Sequence, residues 1–159
     1  MRKYFCFTFI VFLFLSNSVD AQEFQLYDAN VRRWNAGQKR SGYGYDYHFR
    51  FKAMKNLKNI EIKGVWIDTL FYESKIFVNE KEMSSNFSIK KGERILVRTN
   101  VRFVPNELEE YKSNYIADKN EMPKIRDNNF KALVYYTHKG KRRYHIIYEI
   151  ENLPSLNMP

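Results

Sequence analysis

Cysteine is almost missing: the 159 residues contain one, Cys6. Residues 22–159 therefore have no disulfide, no thiol nucleophile and no cysteine-ligated metal to offer, and packing must hold them together. Glycine is scarce as well, six in all, and three of the six fall within Trp34 to Tyr47, WNAGQKRSGYGYDY. Long apolar runs are limited to one, Phe5 to Leu15, whose 11 residues are short of the roughly 20 that cross a bilayer. Arg2 and Lys3 precede that run, and the small polar residues Ser16 to Ala21 come after it. This layout predicts a secretory signal peptide over residues 1–21, cut after Ala21. The remaining 159 − 21 = 138 residues suffice for one domain (22–159) that buries about two thirds of its unfolded surface. No transmembrane segment is expected once the signal is removed.

Recognisable chemistry is sparse too. The stretch GQKRSGYG, beginning at Gly37, lacks the lysine and hydroxyl of a phosphate loop after its second glycine, and strand-like sequence succeeds it rather than a helix. There is no Gly-x-Ser-x-Gly elbow, and the carboxylates form no motif, with Asp46 and Asp68 each isolated near tyrosines. Of the three histidines, His48 alternates with apolar neighbours and reads as solvent-facing; His138 and His145 flank one hairpin, and two imidazoles without a nearby carboxylate fall short of the three protein ligands of a catalytic zinc site. No cofactor or metal ligand set is assigned.

The residues that are plentiful are basic and aromatic. The chain has 27 Lys+Arg and 18 Asp+Glu, with 17% aromatic residues. Without Arg2, Lys3 and Asp20 the count is 25 − 17 = +8, a balance that favours anionic partners. Nucleic acid is not among those expected, because the chain reads as secreted and carries no single-strand platform.

Alternation with period two dominates from Tyr45 onward and predicts half-buried strands. Tyr45, Tyr47, Phe49 and Phe51 share one face. Ile60 and Ile62 alternate with Glu61 and Lys63 before Gly64, where a bulge is expected. Ile95, Val97, Thr99, Val101 and Phe103 point one way, with Arg94, Arg98, Asn100 and Arg102 on the other side. A final hairpin joins Phe130–Thr137 to Arg143–Glu151. A three-residue loop with left-handed Gly140 would align Phe130, Ala132, Val134 and Tyr136 with Tyr144, Ile146 and Tyr148. Asn106 is placed to cap a short helix through Tyr115, helped by Glu107, Glu109 and Glu110 in its first turn. Seven or eight strands with one short helix in a long loop predict an all-β fold, an antiparallel immunoglobulin-like β-sandwich.

Within that fold the glycine-bearing stretch Trp34 to Tyr47 reads as the bend between the first two strands, with Trp34 plugging an end of the sandwich. Trp34 and Tyr43 are also candidate rings for stacking on a glycan, with Lys39 and Arg40 available to acidic sugars. Lys139, Lys141, Arg142 and Arg143 cluster at the last hairpin and are the candidate surface for an anion or a partner.

The stretches WNAGQKRSGYGYDY, GVWID (Gly64 to Asp68) and KALVYYTHKGKRRYHIIYEIENLPSLNMP resemble small secreted proteins of Bacteroidetes-type bacteria. The resemblance implies an all-β envelope protein that is periplasmic, outer-membrane-associated or extracellular, and it implies no activity. It also implies O-glycosylation at Asp-Ser/Thr-apolar sites, a pattern that Asp68-Thr69-Leu70 fits at Thr69. The function expected is a non-enzymatic binding or accessory module for an envelope protein complex or an anionic glycan. The alternatives are a carbohydrate-binding module using Trp34 and Tyr43, and a hydrolase.

Overall fold

The computed structural model describes residues 22–37, 42–84, 86–105, 111–116, 122–125 and 129–157. The expected signal peptide, Lys39, Arg40 and the first half of the expected helix lie outside these residues. The described chain is all β, with two mainly antiparallel sheets and no helix. Its strands are β1 (Phe24–Asn35), β2 (Tyr43–Ala53), β3 (Leu57–Ile67), β4 (Leu70–Tyr72), β5 (Lys75–Val78), β6 (Lys81–Met83), β7 (Phe87–Ile89), β8 (Arg94–Pro105), β9 (Tyr111–Ser113), β10 (Ala132–His138), β11 (Lys141–Ile147) and β12 (Glu151–Asn157). One sheet, A, runs β12-β1-β2-β8-β5-β6, with β9 beside β8. The other, B, runs β11-β10-β3-β4, with β7 beside β3.

The alternation seen in the sequence sets the inner face of sheet A. Phe51, Phe49, Tyr47, Tyr45 and Tyr43 on β2 pair with Ile95, Val97, Thr99, Val101 and Phe103 on β8. Phe49, Phe51, Ile95, Val97 and Val101 meet Ile60, Val65, Ala132, Val134 and Tyr136 from sheet B in one apolar cluster, with Tyr45, Tyr47 and Phe103 packed against it. Burying an aromatic or branched side chain here contributes about 1.5–3 kcal/mol each. At Gly64 the register between β3 and β10 shifts, as the bulge required. A Cβ there would meet the Tyr72 carbonyl oxygen at 2.4 Å.

The structure corrects several expectations. Twelve strands are found among the described residues where the sequence predicts seven or eight, because short strands such as β4 and β6 and the strand β12 carry little periodic signal. Tyr111–Ser113 is strand β9, not helix: the end of β8 supplies its backbone partners through Phe103 and Ser113. The last hairpin turns in two residues, not three. Lys139 and Gly140 both have positive φ (52° and 72°), the type I′ geometry whose twist suits adjoining strands. Val134 therefore pairs with His145 and Tyr136 with Arg143. Leu133 and Tyr135 face away from the shared core into a second apolar cluster with Trp66 and Phe71, and Phe130, Tyr144 and Ile146 pack there too.

Among the described strands, β12 and β1 form the one parallel pair, from Asn30↔Glu151 to Asn35↔Asn157. Its register shifts between Leu153 and Leu156, so Pro154 sits at an irregularity on an edge strand, where its missing N–H removes no ladder bond.

Candidate anion-binding face

The outer face of sheet A is built by the residues that alternate with its core. On β8 these are Arg94, Leu96, Arg98, Asn100 and Arg102, paired across to Lys52, Arg50, His48, Asp46 and Gly44 on β2. β1 adds Asp28, Asn30, Arg32 and Trp34 opposite Arg50, His48, Asp46 and Gly44. The β1–β2 register shifts between Leu26 and Asp28, which leaves Tyr27 as an extra residue, half exposed on this side. Six cations (Lys52, Arg50, Arg32, Arg94, Arg98, Arg102) and two carboxylates (Asp28, Asp46) give this part of the sheet 6 − 2 = +4.

A cavity of about 700 Å³ opens here, within the usual range of ligand sites. Tyr27 and Phe77 wall it on opposite sides, and Arg50, Arg94, Arg98 and His48 line it together with one carboxylate, Glu80, so that three guanidiniums outnumber it. Two of its arginines are held by neighbouring carboxylates. Arg98 donates from Nε to Asp46 Oδ1 (3.2 Å) and from an Nη to Oδ2 (2.5 Å). Arg50 donates an Nη–H to Asp28. Such solvent-facing pairs contribute little stability, about 0–1 kcal/mol, but they fix the direction of the guanidinium forks. Each fork has five N–H donors, so donors remain for a ligand. Arg32, Arg94 and Arg102 have no carboxylate partner among the described residues.

His48 sits among these groups, with Nε2 4.0 Å from Asp46 Oδ2. Burial lowers its pKa from the usual 6.5. Asp46 opposes that, while Arg98, Arg50 and Arg32 reinforce it. The imidazole is thus held neutral at the centre of a cationic patch. Asn30 Oδ1, Arg32 Nε, Trp34 Nε1 and His48 Nε2 are covered polar atoms with no hydrogen-bond partner among the described residues.

The other sequence candidates are placed differently. Trp34 does not plug an end between the sheets. It lies on the outer face across Gly44, where the missing Cβ makes room: a Cβ would come within 2.4 Å of the Trp34 ring. Tyr43 is on the inner side, stacked on Phe103 (5.0 Å between centroids) with the Arg33 guanidinium 5.1 Å from its ring. Trp34 and Tyr43 thus sit on opposite faces of one sheet and form no common platform. At the hairpin, Lys139, Lys141 and Arg142 are exposed, whereas Arg143 is half-buried with Nε 3.9 Å from Glu23 Oε1.

Glu23 belongs to a buried polar cluster that the sequence does not announce. His138 Nδ1 lies 2.7 Å from its Oε1, and Lys55 Nζ lies 3.5 Å away. Glu23 and His138 are 115 positions apart, so only the tertiary fold joins them. Thr69 is exposed in the β3–β4 turn, next to Asp68 at φ 54°. The Asp68 carboxylate adds to burial in raising the Tyr47 hydroxyl to about 12. Among the described residues no three metal-ligating side chains converge, and no helix is long and apolar enough to cross a membrane. No protein-family model, no curated protein and no solved structure matches the chain.

Proposed function

We propose that this chain is an exported, non-enzymatic binding module, an immunoglobulin-like β-sandwich that holds an anionic partner on the outer face of sheet A. The observation that carries the reading is the cavity between Tyr27 and Phe77, where Arg50 and Arg98 are pre-oriented by carboxylates and Arg94 is left without one. A site of this kind recognises carboxylate, phosphate or sulfate through parallel N–H donors. The sequence adds the net charge and the secretory N-terminal pattern, which together favour an anionic glycan or an acidic envelope protein. Lys139, Lys141 and Arg142 form a second, outlying basic tip that steers without shaping a cavity. The exposed turn at Thr69 suits a modification site.

Retention of residues 22–159 on immobilised polygalacturonate, with dextran as the neutral control, tests the reading. Arg94→Gln with Arg98→Gln should abolish retention, and Lys139→Gln with Lys141→Gln should leave most of it. If the hairpin pair matters and the cavity pair does not, the site is at the tip and this reading fails.

A further inference from the structure

We infer that the face binds a linear acidic polysaccharide laid along β8, whose acidic sugars meet Arg94, Arg98 and Arg102 in turn. This rests on the anion-binding reading of the same face. The three arginines occur at every fourth residue of one strand, on the same side. At about 3.3 Å per residue they stand roughly 13 Å apart, and the outer two roughly 26 Å. A small anion in the cavity reaches Arg94 and Arg98 but not Arg102. The arginine with no role in the cavity lies in line with it, exposed and, among the described residues, without a carboxylate partner, as Arg94 is.

The spacing also selects the polymer. Nucleic acid carries a charge about every 3.4 Å along each strand, and a face matched to it would hold cations far more densely. Arg50 and Lys52 on β2 add cations at the cavity end, and neutral donors and acceptors stand among the arginines: His48 beside Arg98, Asn100 between Arg98 and Arg102, and Asn79 at the cavity rim. These groups suit sugar hydroxyls. The aromatic rings are isolated rather than stacked in series: Tyr27 and Phe77 flank the cavity, and Trp34 lies far along the face near Arg102. Each contact with a solvated arginine is weak, so useful affinity has to come from several engaged along one chain.

The test is calorimetric titration of residues 22–159 with galacturonic acid, its dimer and its octamer, with an oligothymidylate of similar length for comparison. The octamer should bind at least about tenfold tighter than the dimer, and added salt should weaken it. Arg102→Gln should erase most of the octamer's advantage and leave the dimer unchanged, whereas Arg98→Gln should weaken both. Arg102 is exposed, so its loss leaves the fold intact, which circular dichroism checks. Equal affinity for dimer and octamer, or an Arg102→Gln variant that binds the octamer normally, overturns the polysaccharide inference and leaves a single-anion pocket. Tighter binding of oligothymidylate overturns the choice of sugar. Failure of every anion to bind sinks the broader reading as well.

Discussion

The two sheets share one core yet treat their outer faces in opposite ways. On sheet B, β10 is buried from Ala132 through Tyr136, five residues in a row. Its outward members, Leu133 and Tyr135, join Trp66 and Phe71 under Met122, Ile125 and Phe130 from the segment before the strand. On sheet A, β8 buries Ile95, Val97, Thr99 and Val101 and exposes Arg94, Arg98, Asn100 and Arg102. A strand covered on both sides reads as a continuous apolar run, and a strand covered on one side alternates. The difference separates structural surface from surface available for binding: the chain covers the outside of one sheet with its own residues and leaves the other charged.

The largest effect should come from Leu133→Ala. Leu133 is fully buried on the outer side of β10, so its truncation should cost about 2–5 kcal/mol in urea unfolding. A loss under about 1 kcal/mol would mean that the outer cluster is a loose cover, and the contrast with sheet A would collapse. Next is Gly44→Ala, which probes the one tightly built point of the open face. Its Cβ would meet both the Trp34 ring and the Val101 carbonyl oxygen at 2.4 Å, and the backbone atom cannot swing aside. We expect a cost of about 1–3 kcal/mol, with the midpoint of unfolding shifted and the slope unchanged. A neutral outcome would show that Trp34 lies loosely on the sheet.

The smallest effect is a pH dependence that compares two histidines. His145 lies against Phe51 (4.9 Å between centroids) and is lowered from 6.5 by burial alone, whereas His48 also feels Asp46 and three arginines. Because both folded values lie below 6.5, the unfolded chain takes up these protons first. Their contribution to stability is complete above pH 6.5 and is lost as pH falls below it toward the lowered values. Asp46→Asn should depress His48 further and leave His145 where it is, as read by proton titration of the imidazole resonances. Movement of both would mean that the two sites share one electrostatic environment. Since the Asp46–Arg98 pair is solvent-facing, the same change should alter stability by less than about 1 kcal/mol.

Much of this is legible in the sequence because local periodicity decides it. The inward set on β2 and β8 and the outward arginines of β8 come from alternation. The connection between β1 and β2 is signalled by glycine at Gly42, which has φ 80° and whose carbonyl oxygen accepts from Ala36 N–H at 3.1 Å. Features that depend on pairing between distant strands are not legible. Arg98 meets Asp46 across 52 positions, and Glu23 meets His138 across 115. The hairpin register is misread from sequence when the outward face of β10 is taken to be wet. A two-residue turn looks wrong only until Leu133 and Tyr135 are seen to have a cover of their own. β12 leaves no trace in the pattern because six of its seven residues are exposed and one of those is proline.

The parallel pairing of β12 with β1 bears on the order of assembly. The strand that opens sheet A waits for a neighbour 121 positions further along, since Asn30 pairs with Glu151. Joining ends so far apart carries a large loop-closure entropy, and such contacts form late. While the chain is being synthesised, β1 can pair with β2 almost at once, but its other side from Asn30 to Asn35 stays open until β12 has been made. A growing chain therefore carries an unsatisfied strand edge over the whole interval between β1 and β12, and a chain lacking Glu151–Asn157 would carry that edge permanently, as a template for its own aggregation.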